Sequence, residues 1–355
     1  MSFRVLSLND EAYWTRCIER IERKDITFLP QYLRVFEVNG DGRAECFVYE
    51  DSGDFVIYPY IRRELVKLPF ARREFAGYYD IITAHGYAGF LHSLPQDRDP
   101  TSLLGGFRRA FEAYAQATHT VSEFIRFHPN LQNQRGAESL MHEVKIQRNN
   151  IFIDLTLPTD ELFRQCRESY RQGIRKAREQ GLTVERVDPW NHVEEFAKLY
   201  RSTMRRLGQT GYLNFHPEFF ANLVALLKND IEMFVVRGPK RLSAAAIFLK
   251  YGSMVDYFLA GNQLMRRTNY ANHLLLHDVS IWAKQQGYAS FHLGGGRDSL
   301  VFFKSGFSDD SRPYYTGRHI HDRPVYDRLC EIRRDAGYPL DDQAAGYFPL
   351  YRAGY

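Results

Sequence analysis

The chain has 355 residues, of which 44% are hydrophobic and 15% are aromatic, and its formal net charge is +4. This composition excludes a disordered protein, and the length favours two domains or one domain with an internal duplication. The mild positive charge does not by itself require a nucleic-acid partner.

The sequence shows no signal for export or membrane insertion. Its first residues, MSFRVLSLNDEAYWTR, lack a basic region followed by an apolar stretch, and no apolar run approaches the ~18 residues that a membrane span needs. The four cysteines lie far apart without a CxxC pair, which argues against a zinc ribbon or a disulfide framework. We therefore expect a cytoplasmic protein.

The first half of the chain predicts a meander, a helix and a strand. The runs AECFVYE and FVIYPY flank the turn DSGD, and the stretch YYDIITAHGYAGFL follows after a loop. A helical pattern near residues 102–117 then leads to the run SEFIRFHP. These elements fit one α+β unit.

The second half repeats this order. After the extended bridge VKIQRNNIFIDLTLP, which places a boundary near residues 145–155, three apolar runs between residues 231 and 261 predict an antiparallel meander. Residues 271–286 predict an amphipathic helix that ends at Gly287, and ASFHLGG resumes as a strand parallel to the last meander strand. The repetition favours two similar α+β lobes over a Rossmann sheet, in which strands and helices alternate from the start.

A helix predicted over residues 161–180 carries two stripes. The apolar stripe consists of Phe163, Cys166, Tyr170, Ile174 and Ala177. The basic stripe consists of Arg164, Arg167, Arg171, Arg175 and Arg178. This basic stripe fits either a solvated face or a contact with phosphate or nucleic acid, since the arginine fork suits phosphate. Arg205 and Arg206 in STMRRLG would extend the basic surface.

Two histidine patterns give weak metal signals. His273 and His277 lie four residues apart on a predicted helix, but they share its polar face with Ser280 and Lys284, so we expect a solvated face. The stretch HIHD at 319–322 fits a polar loop as well as a metal site. We therefore expect no metal site.

The stretch FHLGGGRDSLVFFKSGF at 291–307 joins a glycine-rich strand end to a lysine flanked by aromatic residues. It is not a P-loop, because Phe303 rather than glycine precedes Lys304, and it lacks the third glycine of a dinucleotide fingerprint. We expect Lys304, between Phe303 and Phe307, to be partly desolvated, so that its charge acts on a developing oxyanion. The alternative is a surface lysine whose apolar stem packs along the protein.

The motif FFKSGF resembles the Phe-Lys-x-x-Phe-Gly signature of the FemABX-like peptidyl or aminoacyl transferases, and YRQGIRKAREQGL and YYDIITAHGYAGF are similar to further segments of that family. The order HLGGG, DSL, FK, FS and YYTGRHIHD resembles the FemAB-related proteins linked to cell-surface polysaccharide synthesis. The resemblance, which covers nearly the whole chain, implies an α+β fold of two tandem GNAT-like lobes (acyl-CoA N-acyltransferase fold), each a mixed sheet flanked by helices. The expected bounds are 1–150 for the first lobe, 151–322 for the second lobe with the acyl-transfer site, and 323–355 for a tail that packs back on the lobes.

The resemblance implies acyl transfer from an activated ester to an amine of a cell-envelope precursor, either a peptidoglycan peptide or an amino sugar on a nucleotide or lipid carrier. Aminoacyl-tRNA is the favoured donor, although no coiled-coil hairpin of the kind that binds tRNA is visible. Acyl-CoA is the alternative donor, for an N-acetyltransferase of polysaccharide biosynthesis, but the expected pyrophosphate loop reads RRTNYAN without a glycine. No cofactor beyond the co-substrate is expected, and a lipid-linked precursor would bring peripheral membrane contact. An alternative of another class is a catalytically inactive GNAT-like binding or scaffold protein.

The resemblance also implies roles for individual residues. Lys304 falls on the family lysine that stabilises the tetrahedral oxyanion, and His128, where relatives often carry aspartate, is a candidate for proton transfer. Within the TMR segment, Thr203 and Arg205 fall where the family holds the precursor's diphosphate. The expected substrate-binding residues are Thr203, Arg205, Arg206, Tyr257, Gly294, Gly295, Phe303 and Phe307. Ser308 departs from the signature, which has glycine there.

Overall fold

The computed structural model describes residues 2–71, 73–209, 211–239, 241–263, 270–338 and 346–354. The strands are β1 (Ser2–Ser7), β2 (Arg43–Asp51), β3 (Asp54–Glu64), β4 (Tyr79–Ile82), β5 (Leu91–His92), β6 (Thr120–Arg126), β7 (Glu143–Asp154), β8 (Thr183–Val187), β9 (Ile231–Arg237), β10 (Leu242–Tyr251), β11 (Met254–Asn262), β12 (Ser290–Gly294) and β13 (Ser311–Ile320). The helices are α1 (Glu11–Glu19), α2 (Pro30–Val38), α3 (Thr101–Ala117), α4 (Thr159–Gln165), α5 (Glu168–Glu179), α6 (Pro189–Arg206), α7 (Pro217–Leu227), α8 (Ala271–Gln285), α9 (Asp298–Lys304) and α10 (Arg323–Asp335). In these ranges, no helix combines the length and the apolar character that crossing a membrane requires.

Two compact units make up the chain, the first from residues 1–147 and 314–355 and the second from residues 148–313. In the first unit the strand order is β1-β2-β3-β4-β6-β13, with β5 beside β3. The neighbours from β1 to β4 are antiparallel, and β4 pairs in parallel with β6, which follows α3. Helix α3 forms because its apolar residues recur with the helical period, and it packs Leu104, Phe107 and Phe111 against Phe47 and Tyr58 of the sheet.

The last residues of the chain also contribute to the first unit. Strand β13 pairs with β6, residues 316–320 against 122–126. The structure therefore groups residues 314–322 with the first unit, which differs from the expected lobe bounds of 151–322. Helix α10 packs in an apolar cluster of this unit that includes Leu65 and Tyr351.

In the second unit the strand order is β7-β12-β11-β10-β9-β8. The antiparallel meander expected from three apolar runs is confirmed as β9, β10 and β11, and β12 pairs in parallel with β11 after α8. Helix α8 ends before Gly287, whose φ of +85° is the left-handed conformation that glycine adopts readily after a helix. The core lies between α8 and the sheet, where Leu275 and Val279 pack with Phe234, Phe248 and Phe291.

The single helix predicted over residues 161–180 is wrong. The chain forms α4 and α5, separated by Cys166 and Arg167, whose ψ angles of 138° and 146° are extended. At the break, the backbone N–H of Arg167 donates to the carbonyl oxygen of Gly306 at 2.8 Å instead of to a carbonyl four residues earlier in the same helix. The predicted apolar stripe nevertheless contributes wholly to the core of the second unit, with Phe163 and Tyr170 partly buried at its edge.

The solvated face predicted for His273 and His277 is also wrong. His277 is 8% exposed, and its Nδ1 lies 2.8 Å from Asp278 Oδ1. The His273 ring packs edge-on to Tyr170 at 4.4 Å and to Phe303 at 5.1 Å between centroids, and burial lowers its pKa to about 4. The prediction failed because the aromatic rings of α5 and α9 cover this side of α8, and the sequence of α8 alone does not show them.

The HIHD stretch is a strand end and a helix cap rather than a loop. His319 and Ile320 are the last two residues of β13, and Asp322 caps α10 by accepting a hydrogen bond from the backbone N–H of Val325 at 3.0 Å. His321 Nε2 lies 3.1 Å from Glu123 Oε2, within the first unit. The polar residues of this stretch therefore have structural partners within the first unit.

Candidate functional site

The candidate site lies where β11 and β12 stop pairing. The two strands pair in parallel only over residues 254–256 and 290–292, although β11 continues to Asn262. The chain then turns through three glycines, and the φ angles of +75° at Gly294 and +134° at Gly296 require residues without a side chain. Helix α9 follows at once and ends at Lys304, which brings this lysine back to the turn.

Lys304 is buried beside that turn, with 5% of its surface exposed. Its Nζ donates to the carbonyl oxygen of Gly295 at 2.6 Å and lies 5.7 Å from the centroid of the Tyr257 ring on β11. Burial lowers the pKa of Lys304 to about 7 and raises the pKa of Tyr257. The partial desolvation expected for this lysine is therefore confirmed, and the alternative of a surface lysine is excluded. The structure brings Lys304, Tyr257, Gly294 and Gly295 together.

Phe303 and Phe307 lie in an aromatic cluster that anchors α9. Their rings meet edge to face at 5.5 Å, and Tyr170 of α5 packs against both, at 5.8 Å and 5.2 Å. The Tyr170 hydroxyl donates to the carbonyl oxygen of Phe303 at 3.0 Å, and a Cβ added to Gly306 would lie 2.1 Å from the Tyr170 ring. The close approach of Tyr170 therefore needs glycine at position 306, and it fixes the end of the helix that carries Lys304.

The five arginines of the predicted basic stripe make separate internal contacts. Arg164 pairs with Asp160 at 2.6 Å, and Arg178 pairs with Asp278 at 2.8 Å. The remaining three contact carbonyl groups, a hydroxyl or a ring, as follows: Arg167 with the Phe302 carbonyl and Ser305 Oγ, Arg171 with the carbonyls of Arg164 and Cys166, and Arg175 with the Phe163 ring. Because α4 and α5 are separate helices, the five side chains do not form one continuous row.

Thr203, Arg205 and Arg206 lie at the end of α6 but face two directions. Thr203 Oγ1 accepts from the backbone N–H of Asn262 at 2.9 Å, and Arg206 donates to the Asn262 carbonyl at 3.0 Å, so both tie α6 to the end of β11. α6 and β11 pack so closely that a Cβ on Gly261 would lie 2.9 Å from the Tyr200 backbone nitrogen. The exposed Arg205 instead lines a different surface, between α6 and α7.

That surface is a groove of about 370 Å³ with a basic rim. Lys198, Arg201 and Arg205 follow one face of α6 at spacings of three and four residues, and Glu194 is the acidic residue among the lining side chains. The apolar lining consists of Val193, Ala197, Pro217 and Ala221. The groove therefore combines positive charge with an apolar floor.

His128 belongs to the first unit and is buried there. Its Nδ1 accepts from the backbone N–H groups of Asn130 at 3.2 Å and Leu131 at 3.3 Å, and its Nε2 lies 3.6 Å from Asp25 Oδ1. Burial alone would raise the pKa of Asp25, but His128 and the hydrogen bonds from Thr27 lower it. The Nδ1 of His128 thus contacts the loop that follows β6, and the Nε2 contacts the carboxylate of Asp25. A role of His128 in proton transfer stays a prediction.

Sequence reasoning missed a second polar group beside the glycine turn. Asp256 Oδ1 lies 2.6 Å from His292 Nδ1, and His292 Nε2 lies 3.2 Å from Asn150 Oδ1. These three residues come from β11, β12 and β7, and they meet at the last rung where β11 and β12 pair. His292 stands within the glycine-rich motif, but nothing near it in sequence indicates either partner.

The comparisons with known proteins concern the fold. Residues 164–305 match the family model of the acetyltransferase (GNAT) domain. FemX superposes with a TM-score of 0.68 and 15% identity, covering 92% of this chain and 99% of that chain. L-PGS from Bacillus licheniformis gives a TM-score of 0.56 at 14% identity, covering 91% of this chain and 96% of that one. A structure named as the C-terminal domain of a lysylphosphatidylglycerol synthetase from Agrobacterium fabrum gives 0.54 at 15% identity, with 88% and 92% covered.

No curated protein matches the sequence. The family model and the structural matches define the class of fold: two GNAT-like lobes in tandem, each a mixed sheet flanked by helices, as expected. Within that class the fold is similar to that of FemX, as the resemblance to the FemABX-like proteins implies. Most of the second unit falls within the GNAT domain match, and Lys304 is its penultimate residue.

Proposed function

We propose that this protein is a FemABX-like N-acyltransferase that moves an aminoacyl or acyl group from an activated ester to an amine of a cell-envelope precursor. The observation that carries this proposal is the buried Lys304, held at 2.6 Å from the Gly295 carbonyl where β11 and β12 stop pairing. The FemX-like fold and the GNAT domain match support transfer of an acyl group as the reaction class.

The proposed chemistry assigns Lys304 to the developing negative charge. The acceptor nitrogen attacks the ester carbonyl, a C–N bond forms, and the carbonyl oxygen becomes an oxyanion. The Lys304 ammonium stabilises that oxyanion, and its low exposure means that little water competes with the interaction. The C–O bond of the ester then breaks, and the proton lost by the amine ends on the leaving hydroxyl group.

We favour aminoacyl-tRNA as the donor. One structurally similar protein is named as the C-terminal domain of a lysylphosphatidylglycerol synthetase, and that name contains an aminoacyl group, lysyl. The segment RRTNYAN, in which a CoA pyrophosphate loop would be expected, has no glycine, and residues 264–269 within and before it lie outside the described part of the chain. The arginines of the predicted basic stripe are the candidate contacts for tRNA.

The groove between α6 and α7 is the candidate contact for the precursor. Lys198, Arg201 and Arg205 offer positive charge to a phosphate, and the apolar floor offers packing to the attached carrier. The groove fits a precursor on a nucleotide or on a lipid, and a lipid carrier would bring peripheral membrane contact. We place the reaction in the cytoplasm, where charged tRNA and nucleotide-linked precursors are made.

Acyl-CoA is the second candidate donor, because the matching family model is that of an acetyltransferase domain. It would make the protein an N-acetyltransferase of polysaccharide biosynthesis. A binding or scaffold protein without activity is the alternative of another class. The burial of Lys304 argues against it, since among the described residues its Nζ has a backbone carbonyl and no carboxylate as partner.

The test is transfer of a radiolabelled group from charged tRNA or from acetyl-CoA to peptidoglycan-precursor peptides and amino sugars. We expect label in the acceptor from charged tRNA. Label from acetyl-CoA alone would select the second candidate. No transfer from either donor, together with precursor binding, would select the scaffold. Mass spectrometry of the precursor pool in cells with and without the protein identifies the group transferred.

A further inference from the structure

We propose that Asp256, His292 and Asn150 form a positioning chain that holds the turn at residues 294–296 and, through it, Lys304. The three residues lie on the adjacent strands β11, β12 and β7 of the second unit. The inference rests on the proposed function, since it gives these residues a part in the same acyl-transfer site. They act on Lys304 through the backbone and are positioning residues rather than catalytic ones.

The first step is the immobilisation of His292. Its Nδ1 lies 2.6 Å from Asp256 Oδ1, and its Nε2 lies 3.2 Å from Asn150 Oδ1. The ring stacks on Phe152 with 4.4 Å between centroids and 10° between planes, and 5% of the residue is exposed. When both ring nitrogens carry protons, the carboxylate accepts one hydrogen bond and the amide oxygen accepts the other. Two polar partners and one stacked face leave the ring a single orientation.

The second step links this chain to the glycine turn. The pairing of β12 with β7 is regular up to His292 opposite Phe152, and then shifts register so that Gly294 lies opposite Ile151. Such an irregularity bends a strand and redirects the residues after it. Gly295 follows directly, and a Cβ there would lie 3.1 Å from the Asn149 carbonyl and 3.2 Å from Asn150 Oδ1. The backbone of Gly295 therefore rests on Asn150.

The third step links the turn to the reacting group. The Gly295 carbonyl accepts the hydrogen bond of Lys304 Nζ, and a Cβ on Gly294 would lie 3.3 Å from Nζ. The direction in which the ammonium points is set by this carbonyl, with the Tyr257 ring facing it from β11. A displacement of the turn by a fraction of an ångström therefore moves the charge relative to the carbonyl carbon that it serves.

A structural role alone accounts poorly for the polarity of this chain. The partly buried carboxylate of Asp256 and the buried imidazole of His292 lose hydration that apolar side chains at the same strand positions would not lose. The pair also lies at the last rung before β11 and β12 stop pairing, which is the point where a small change in strand direction has its largest effect on the turn.

The test compares Asp256→Asn with Glu232→Gln. Glu232 is a matched control because it is another strand carboxylate of the second unit that pairs with basic side chains, Arg186 and Lys250, and it lies away from the turn on β9. The first readout needs no substrate: the rate at which acetic anhydride acylates Lys304 is followed against pH by peptide mass spectrometry. The second readout is kcat and KM for the transfer reaction. His292→Phe is a further variant that keeps the stack on Phe152 and removes both polar ring contacts.

We expect Asp256→Asn and His292→Phe to raise the titration midpoint of Lys304 by about one pH unit, because water reaches Nζ when the turn loosens. The wild-type midpoint is expected near the pKa of about 7 that burial produces. We expect kcat to fall by about 10- to 100-fold in both variants while KM changes by less than about two-fold. Glu232→Gln should leave the midpoint of Lys304 where it is.

The two readouts separate this inference from the proposed function. A shifted labelling midpoint in a protein without transfer activity supports the positioning chain and contradicts the function. Normal labelling of Lys304 in both variants of an active enzyme overturns the positioning chain, and so does a loss confined to KM. Thermal unfolding of each variant shows that it is folded under the labelling conditions, and if Asp256→Asn does not fold, His292→Phe decides.

Discussion

The first unit buries Asp80 against two arginines, whereas the second unit buries Lys304 against a neutral carbonyl group. The Asp80 carboxylate lies 2.8 Å from Arg63 Nε and 2.5 Å from Arg352 Nε, and Asp80 has no exposed surface. Burial alone would raise the pKa of Asp80, but the two guanidinium groups lower it below its ordinary value. For Lys304 burial is the cause of the shift, and it lowers the pKa to about 7.

This difference distinguishes a buried charge that stabilises the fold from a buried charge that can take part in a reaction. A charge with its counter-charge keeps its ionised form at neutral pH, and removing either partner leaves the other uncompensated. A charge without a counter-charge titrates near neutrality, where proton transfer and charge stabilisation are most easily controlled. His128 differs from both, because its Nδ1 accepts from two backbone N–H groups and its Nε2 faces Asp25, so both ring nitrogens are engaged within the first unit. The comparison therefore favours Lys304 over His128 as the reactive group.

The largest expected effect is on the stability of the first unit. Asp80→Asn keeps the size of the side chain but leaves Arg63 and Arg352 buried without a counter-charge, so we expect the free energy of unfolding to fall by about 3–5 kcal/mol. Chemical denaturation measures it. The control is Asp160→Asn, whose pair with Arg164 is exposed, and which should lower the free energy by less than about 1 kcal/mol. Equal losses in the two variants would mean that Asp80 is not the structural charge that its burial indicates.

The next largest effect is on catalysis. Lys304→Met removes the charge with little change in length, so we expect kcat to fall by roughly 10²- to 10³-fold while substrate affinity stays close to that of the wild type. Initial rates and equilibrium binding of the precursor measure the two quantities. Lys284→Met is the matched control, because Lys284 also donates to a backbone carbonyl, that of Leu155, at 3.0 Å. Full activity of Lys304→Met would remove this lysine from the mechanism.

A third prediction concerns pH and has opposite signs for activity and stability. Lys304 is protonated below its pKa of about 7, so transfer should decline as the pH rises through that value. An unfolded lysine stays protonated up to about pH 10.4, so between these values the unfolded chain binds more protons and the contribution of Lys304 to stability rises with pH. Rate profiles and denaturation between about pH 6 and 10 test both. The difference in unfolding free energy between wild type and Lys304→Met should grow with pH in favour of the wild type, and a constant difference would contradict the lowered pKa.

The meander, the helix and the following strand of both units could be predicted from sequence because each of these elements has its own local period. Helix α8 and strands β9 to β11 show this, since their apolar residues recur with the helical period or form short runs bounded by turns. The break between α4 and α5 could not be predicted, because its cause is the carbonyl of Gly306, far along the chain. The same holds for His273, whose covering rings come from other helices.

The site was predictable only in part. Lys304 could be identified from the aromatic residues beside it in sequence, yet the rings of Phe303 and Phe307 pack on each other and on Tyr170. The hydrogen-bond partner of its ammonium group is the backbone carbonyl of Gly295, which no residue type in the sequence indicates. Asp256 and Asn150 lie 36 and 142 residues from His292, so only the folded strands bring them together.

The smallest expected effect concerns the predicted basic stripe. If α5 contacts a polyanion such as tRNA, log affinity falls linearly with log salt, and each lost phosphate contact reduces that slope by about one. Arg171 already donates to the carbonyls of Arg164 and Cys166, whereas the exposed Arg175 lies over the Phe163 ring at 5.6 Å. We therefore expect Arg175→Gln to flatten the slope by about one and Arg171→Gln by less, with the double variant close to their sum.

Filter binding of charged tRNA across a salt series measures these slopes. Arg328→Gln on α10 of the first unit is the control, since Arg328 is an exposed arginine with a local partner, Glu331, and its loss should leave the slope unchanged. If tRNA binding does not respond to salt, the predicted basic stripe is a solvated surface, which is its simpler interpretation. Equal slopes for Arg171→Gln and Arg175→Gln would show that the carbonyl contacts of Arg171 open when the polyanion binds, because a guanidinium that stays on those carbonyls has fewer donors left for phosphate.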